Sequence, residues 1–228
     1  MINQWTNWLR SAARDFNISL NKEKIQLLDI FIGELFNANQ TFNLTSITTP
    51  LEIAENLVLD SIFPGKFFLN KKHILDLGTG AGFPGIPLKI AHPDFAMTLI
   101  DGKRKKINFL KYVIRQLELV NIEAKHIRAE ELAGQGTRFD VVITRAVSDL
   151  GVLIKLAFPL LEKDGVFIAM KGSNYQAEID TLKKKSVINI GKEKFPVNQL
   201  KIDVEPYRLP ISGIDRAVIK VRRNGHYS

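Results

Sequence analysis

The chain has 228 residues, 45% of them hydrophobic and 25% charged, which predicts one folded domain with an appendage. It contains no cysteine, which excludes disulfides, thiolate metal sites and cysteine nucleophiles, and its four histidines show no metal-ligand spacing. No run of about 20 apolar residues and no secretory signal pattern is present, so we expect a cytoplasmic protein without a membrane or metal partner.

The net charge of +8 is unevenly distributed along the chain. Residues 1–60 carry four Lys and Arg against seven Asp and Glu, whereas residues 61–228 carry 28 against 17. A basic body is expected of a protein that binds a polyanion, although a basic enzyme without a nucleic-acid partner has the same composition.

Residues 1–65 are predicted to form a helical extension that packs on a main domain of residues 66–228. Apolar side chains recur at helical spacing from Ile2 to Phe16 and again from Ile25 to Leu35. Ser19 and Asn21 are both candidate caps of the second helix.

From Lys72 onward, short apolar runs alternate with helical segments. Strands are predicted at His73–Leu77, Ala96–Ile100, Ile122–His126, Asp140–Thr144 and Gly165–Met170. Helices are predicted at Ile86–Ala91, Lys103–Leu119, Asp149–Leu161 and Tyr175–Lys185. This alternation predicts a doubly wound α/β domain with a mostly parallel sheet. Two final strands, Leu200–Arg208 and Arg216–Arg222, match a seven-stranded methyltransferase sheet better than a simple nucleotide-binding fold.

A glycine-rich loop, Gly78-Thr79-Gly80-Ala81-Gly82-Phe83-Pro84-Gly85, follows the first predicted strand. A strand, glycines and then a helix form the context of a nucleotide-binding turn. Residues 80–85 also satisfy the G-x-G-x-x-G dinucleotide pattern, so the pattern alone fits two cofactors. Asp76 would repel the pyrophosphate of a dinucleotide, whereas a carboxylate favours the sulfonium and ammonium groups of S-adenosylmethionine. We therefore predict S-adenosylmethionine, bound by Asp76, Gly78 and Gly80.

Polar side chains follow the next two predicted strands. Asp101 ends the second strand, where an acid accepts hydrogen bonds from ribose hydroxyls, and it is also a candidate helix cap. The run Lys103-Arg104-Lys105-Lys106 then opens a helix, where the helix dipole disfavours each positive charge by about 0.3–1 kcal/mol. This run favours an anionic partner, either RNA or the 2′-phosphate of NADP, over a solvated face. Glu130 follows the third strand and is a candidate adenine contact or an ordinary first-turn residue.

The end of the fourth strand, Thr144-Arg145-Ala146-Val147, limits the atom that is methylated. It lacks the Asn/Asp-Pro-Pro-aromatic loop used on exocyclic amines, and pyrimidine C5 chemistry needs a cysteine. For ribose 2′-O methylation, Lys171 fits one member of a Lys-Asp-Lys-Glu set, but Arg145 stands where the acid belongs. Guanine N7 has a free lone pair and needs positioning rather than a base, so this chemistry is permitted without any catalytic residue.

Six strings in the chain resemble the bacterial 16S rRNA guanine-N7 methyltransferases, also called the glucose-inhibited division protein B family. The strings are Asn43-Leu44-Thr45, Leu59-Asp60-Ser61, Asp76 to Leu88, Gly102-Lys103-Arg104, Thr144-Arg145-Ala146 and Met170-Lys171-Gly172. The resemblance covers about residues 25–222. It implies a class I, Rossmann-like methyltransferase fold and methyl transfer to one guanine N7 of 16S rRNA, in free RNA or in the small ribosomal subunit.

The resemblance also implies site residues. Cofactor contacts are expected at Gly78, Phe83, Ala129, Glu130 and Arg145. RNA contacts are predicted separately from that list: Arg104 and Lys106 belong to the basic run, and Arg145 and Lys171 follow the fourth and fifth predicted strands. A structural salt bridge is the less favoured role for Arg145, because α/β sheets bind ligands at the carboxyl ends of their strands. Relatives often have a basic residue and a histidine where this chain has Asn56 and Leu57, so an RNA contact from that helix is not carried over.

Three functions are compatible with these patterns. The favoured one is the rRNA methyltransferase, which we expect to be a monomer. An NADP-dependent oxidoreductase follows from the dinucleotide pattern and the Lys-Arg run, and a non-catalytic RNA-binding protein follows from the basic body.

Overall fold

The computed structural model describes residues 4–42, 44, 49–145, 148–191 and 193–224. Ile2, Asn43, Thr45, Ala146 and Val147 carry sequence-based predictions and lie outside the described residues. Strands run over β1 His73–Leu77, β2 Ala96–Asp101, β3 Ile122–His126, β4 Phe139–Thr144, β5 Leu161–Gly172, β6 Val187–Ile190, β7 Glu193–Pro196, β8 Leu200–Arg208 and β9 Asp215–Arg223.

Helices lie before, between and after these strands. They are α1 Gln4–Asp15, α2 Lys22–Phe42, α3 Pro50–Ile53, α4 Asp60–Ile62, α5 Gly85–Ala91, α6 Arg104–Gln116, α7 Ala129–Gly134, α8 Leu150–Ala157 and α9 Tyr175–Lys183. A π-helical segment, Ala54–Leu59, joins α3 to α4, and short 3₁₀ turns occupy Phe63–Phe67, Phe158–Leu160 and Val197–Gln199. Among the described residues, no helix combines the length and the apolar character needed to cross a bilayer.

A seven-stranded sheet in the order β3-β2-β1-β4-β5-β9-β8 forms the centre of the fold. The five neighbouring strands β3, β2, β1, β4 and β5 pair in parallel, whereas β9 is antiparallel to both β5 and β8. The predicted doubly wound, mostly parallel sheet with a final antiparallel pair is therefore confirmed. Strand bounds agree with the predictions for β1, β3 and β8, and β5 is longer at both ends than predicted.

The inner strands β1, β2 and β4 and the second half of β5 are buried on both faces because they are almost continuously apolar, whereas the edge strands β3 and β8 are mostly exposed or half-buried. In β1, Ile74 belongs to the apolar cluster that also contains residues of α1, α2, α5 and α6, whereas Leu75 belongs to the cluster of α7, α8 and α9. Successive side chains of a strand point to opposite faces, so these two clusters are the two layers that cover the sheet.

The N-terminal helices share an apolar core with one face of the sheet. Leu9 of α1 and Phe31 of α2 are fully buried in the same cluster as Ile74. Of the two candidate caps, Asn21 is the one observed, because its Oδ1 accepts a hydrogen bond of 2.9 Å from the amide of Lys24. The domain division at residue 65 stays a prediction.

The small sheet of β6 and β7 was not predicted. Its strands have four residues each and pair in antiparallel fashion, with Ile188 opposite Phe195. Both of these side chains are buried in the cluster of α8 and α9. Strands this short contain too few alternations to give a clear period-two pattern.

Candidate functional site

The strand order reverses between β1 and β4, and this reversal places a crevice at their carboxyl ends. From β1 the chain proceeds outward to β2 and β3, and then returns to β4 on the other side of β1. In open α/β sheets, ligands bind in the crevice at such a switch point. The glycine loop follows β1, Asp101 is the last residue of β2 and Arg145 follows β4, so all three lie at this edge.

The glycine loop leaves space on one side and packs tightly on the other. Gly78 has a left-handed φ of 73°, and no atom lies within 4 Å of the place where a Cβ would be. Gly82 has a φ of 102°, and a Cβ there would lie 2.8 Å from Leu110 and 2.9 Å from Ile86. Glycine is therefore required at Gly82 for packing, whereas the open space at Gly78 can admit a ligand.

Asp76 is fully buried beneath this loop. Its Oδ2 accepts a hydrogen bond of 2.8 Å from the amide of Gly85, the first residue of α5. Burial raises the pKa of Asp76 to about 7, and the nearby Thr79 hydroxyl and the Gly85 amide partly oppose this rise. Neither Asp76 Oδ1 nor the Thr79 hydroxyl makes a hydrogen bond of favourable geometry with the described residues. A cationic ligand would stabilise the ionised carboxylate.

Asp101 connects the loop after β1 with the turn after β2. Its Oδ2 accepts a hydrogen bond of 3.0 Å from the amide of Gly80, and its Oδ1 accepts one of 2.8 Å from the amide of Lys103. Lys103 is itself the N-cap residue of α6, so Asp101 stabilises the turn before the helix and does not cap the helix. A ribose contact from Asp101 stays a prediction.

The basic run after Asp101 lies beside the glycine loop. Lys103, Arg104 and Lys105 are exposed, and the first turn of α6 contains no acidic residue. The ammonium of Lys106 lies 3.6 Å from the place where a Cβ of Gly80 would be. Lys106, predicted as an RNA contact, therefore lies next to the glycine loop.

Three more predicted cofactor residues border this region. Ala129 is buried and Glu130 is exposed, and both lie in the first turn of α7, directly after β3. Phe83 is buried, and its ring centroid lies 5.3 Å from that of Phe31. Phe83 therefore connects the glycine loop with helix α2, while the predicted contacts of these three residues with the cofactor stay predictions.

Arg145, directly after β4, forms the salt bridge that was considered its less favoured role. Its Nε lies 3.2 Å from Asp60 Oδ2, and its Nη2 donates a hydrogen bond to the backbone oxygen of Asn56. The Asp60 carboxylate also lies 3.7 Å from Nε of Arg216 and accepts a hydrogen bond from the hydroxyl of Tyr207. Burial and the charge of Asp60 raise the pKa of Tyr207.

The sequence patterns did not identify Asp60, Tyr207 and Arg216 as parts of this region. Asp60 did lie in the string Leu59-Asp60-Ser61 that resembles the family, but nothing local indicated its partners. Lys171, predicted as an RNA contact, is buried, and its Nζ lies 2.7 Å from Glu178 and donates a hydrogen bond to the backbone oxygen of Ser148. The amine of Lys171 is therefore engaged by the protein itself.

Within the described part of the chain, no three His, Cys, Asp or Glu side chains come together in a way that could hold a metal ion.

The parallel sheet, its final antiparallel pair and the glycine loop after β1 define a Rossmann-like methyltransferase of class I. The same fold occurs in the O-methyltransferase from Bacillus cereus in complex with SAH, with a TM-score of 0.58 and 13% identity over 98% of this chain and 100% of that chain. A putative O-methyltransferase from Klebsiella pneumoniae has a TM-score of 0.59 at 10% identity, over 96% of this chain and 98% of that one.

The chain belongs to the GidB family, described as rRNA small subunit methyltransferase G, whose family model matches residues 24–203. Ribosomal RNA small subunit methyltransferase G of Clostridium botulinum (strain Okra / Type B1) is 39% identical over 89% of this chain and 85% of its own length. The protein of the same name from Mycoplasma capricolum is 40% identical over 81% of this chain and 79% of its own length. The family predicted from the sequence strings is thereby confirmed.

Proposed function

We propose that this protein transfers a methyl group from S-adenosylmethionine to N7 of a guanine in 16S ribosomal RNA, as a monomer. The observation that carries the proposal is membership of the rRNA small subunit methyltransferase G family over residues 24–203. A ribosomal substrate implies that the enzyme works in the cytoplasm.

The crevice at the carboxyl ends of β1 and β4 fits this cofactor. The open space over Gly78 can receive a ligand, and the buried Asp76 beneath the loop favours a cationic one. Asp101 would hold the ribose and Glu130 the adenine. Phe83 would pack near the methyl donor, and Ala129 and Arg145 would also contact the cofactor. Bound S-adenosylmethionine supplies a methyl group made electrophilic by its sulfonium.

The proposed reaction asks the protein for positioning rather than for proton transfer. N7 of guanine carries a lone pair in the plane of the ring, so an in-line attack on the methyl carbon needs no base. Asp76 is fully buried, and both oxygens of Asp101 accept backbone hydrogen bonds. We therefore assign both carboxylates to cofactor binding, and we assign no residue to general base catalysis.

The exposed cations of α6 support an RNA substrate. Lys103, Arg104 and Lys105 lie at the electropositive end of this helix, beside the glycine loop. Phosphate groups are attracted both by these side chains and by the helix terminus. RNA bound there would lie close to the methyl donor.

The test is methyl transfer from labelled S-adenosylmethionine to RNA from cells that lack the enzyme. The RNA is supplied as naked 16S rRNA, as an assembly intermediate and as the whole small subunit, and the product is mapped by mass spectrometry. RNA from cells that contain the enzyme is the matched control, because its target is already methylated. We expect one 7-methylguanine in at least one form of the unmethylated RNA and no further methyl group in the control.

Two results would contradict the proposal. A methyl group on a ribose 2′-oxygen would contradict methylation at guanine N7. It would favour ribose 2′-O methylation, the alternative for which Lys171 fits one member of the activating set. Saturable RNA binding without any methylated guanine would favour a non-catalytic protein. Calorimetric titration with NADP is the further comparison, and we expect binding of S-adenosylmethionine without binding of NADP.

A further inference from the structure

Asp60 is a buried carboxylate surrounded by partners from distant parts of the chain. Its side chain is 2% exposed, and it begins α4 directly after the π-helical segment. Arg145 follows β4, Tyr207 lies on β8 and Arg216 lies on β9, and all three contact the Asp60 carboxylate. We call these four residues the Asp60 cluster. It joins the N-terminal helices to the ligand-binding edge of the sheet.

The charges of the Asp60 cluster do not balance. Two guanidinium groups lie within 4 Å of a single carboxylate, and neither makes an ion pair with another acid among the described residues. The neighbouring acid Glu55 is committed elsewhere, because its carboxylate accepts hydrogen bonds from the amides of Ile211 and Ser212. The side chains of Arg145 and Arg216 are 21% and 22% exposed, so the excess positive charge can meet an anionic ligand.

The contacts of Arg145 fix the plane of its guanidinium group. Nε faces Asp60 and Nη2 donates to the backbone oxygen of Asn56. A guanidinium is planar, with five N–H donors in a rigid fork, so fixing two nitrogens also fixes the direction of the third. Nη1 has no hydrogen-bond or ion-pair partner within the part of the chain that the structure describes.

We propose that Asp60 is a positioning residue, which holds Arg145 so that Nη1 binds an anionic oxygen of a ligand in the crevice. This inference rests on the proposed function. Its two ligands each carry an anionic group with such oxygens, namely the carboxylate of the cofactor and a phosphate of the RNA. Without the Asp60 carboxylate, the Arg145 side chain would lose its fixed plane and with it the direction of Nη1. Asp60 therefore acts on ligand binding only through Arg145.

The experiment measures two dissociation constants in a set of full-length variants. The constant for S-adenosylmethionine is measured by calorimetry, and the constant for naked 16S rRNA by filter binding. Asp60→Asn keeps the shape of the side chain and removes its charge, and we expect one of the two constants to rise about tenfold, as for a lost charge-assisted contact. A rise for the cofactor identifies its carboxylate as the ligand, and a rise for the RNA identifies a phosphate.

Asp203→Asn is the matched control. It removes a carboxylate on β8 that pairs with a single arginine, Arg222 of β9, outside the Asp60 cluster, so both constants should stay within about twofold of the wild type. Circular dichroism melting shows whether each variant is folded. If Asp60→Asn does not fold, Asp60→Glu, which keeps the charge but shifts it by one methylene, takes its place in every comparison.

A double-mutant cycle separates positioning from a merely structural role. In the Arg145→Gln background, replacement of Asp60 should change the affected constant by less than about twofold, because its effect passes through Arg145. Additive effects would overturn the proposal, as would a replacement of Asp60 that leaves both constants unchanged. These are binding measurements and need no turnover, so a wild-type protein that methylates nothing refutes the proposed function alone.

Discussion

Cofactor affinity is expected to increase between pH 6 and pH 8, because Asp76 attracts a cation only when it is ionised. Burial raises the pKa of Asp76 from 3.8 to about 7. At that pKa, about a tenth of the carboxyl groups are ionised at pH 6 and about nine tenths at pH 8. If the carboxylate form binds the sulfonium, the contribution of Asp76 to affinity rises about tenfold over this range, or by about 1.4 kcal/mol.

The assay is calorimetric titration with S-adenosylmethionine at pH 6, 7 and 8, in buffers of different ionisation enthalpy. The cofactor has an amino group of its own, and such groups titrate at a pKa of about 8. We therefore compare the wild type with Asp76→Asn at each pH, because the variant lacks only the Asp76 contribution. The ratio of the two affinities should rise about tenfold from pH 6 to pH 8, with release of about half a proton from the wild-type protein at pH 7.

The sign of the stability effect in the free protein is opposite. A carboxyl group whose pKa is higher in the folded than in the unfolded state contributes stability below the unfolded value, about 3.8, and that contribution disappears as the pH rises through 7. The free protein should therefore lose stability relative to Asp76→Asn between pH 4 and 7, while cofactor binding gains strength. An affinity ratio that stays flat from pH 6 to pH 8 would refute the reasoning about Asp76.

Three further substitutions test other parts of the structure. Gly85→Ala would place a Cβ 2.3 Å from a leucine methyl, so the free energy of unfolding, measured in urea, should fall by about 1–3 kcal/mol. Gly134→Ala is the control, because no atom lies within 4 Å of its added Cβ, and it should leave the free energy of unfolding nearly unchanged. Lys171→Gln removes one partner of the ion pair with Glu178 and should lower the free energy of unfolding by about 3 kcal/mol without weakening RNA binding. If the folded variant binds RNA more weakly than the wild type, the predicted RNA contact of Lys171 is supported instead. Arg104→Gln should reduce the slope of log affinity for RNA against log salt concentration by about 0.7. Lys163→Gln, at the amino end of β5, is the control and should leave the slope unchanged. If Arg104→Gln has the same slope as the wild type, Arg104 does not contact the RNA phosphates.

The sheet could be predicted from the sequence because its signals are local. β1, β2, β4 and the second half of β5 are short apolar runs bounded by polar residues or glycine, and a chain of such runs separated by helices permits few topologies. The glycine loop was also recognisable, since its glycines and the preceding Asp76 are adjacent in the chain. What could not be read locally was that Asp76 is buried completely, which depends on α5 and β2 packing around it.

Side-chain partners were harder to predict than secondary structure. Arg145 was placed correctly at the end of a strand, but its partner Asp60 lies 85 residues earlier in the chain and comes near it only when the N-terminal helices dock. Lys171 was predicted to contact RNA, but in the structure it lies near the end of β5 with its amine engaged by the protein. Its pairing with Glu178 depends on the packing of α9 against that edge, which periodicity does not specify.

The cluster around Asp60 also has a consequence for protein synthesis. Its hydrogen bond with Tyr207 spans 147 positions of the chain, and Glu55 binds the amides of Ile211 and Ser212 across a similar separation. A growing polypeptide folds from its N-terminus while the last strands are still inside the ribosome. Arg145 therefore acquires its complete surroundings only after Arg216 has emerged. An unfinished chain would therefore lack part of the surroundings of Arg145, the residue that is proposed to bind an anionic oxygen of the ligand.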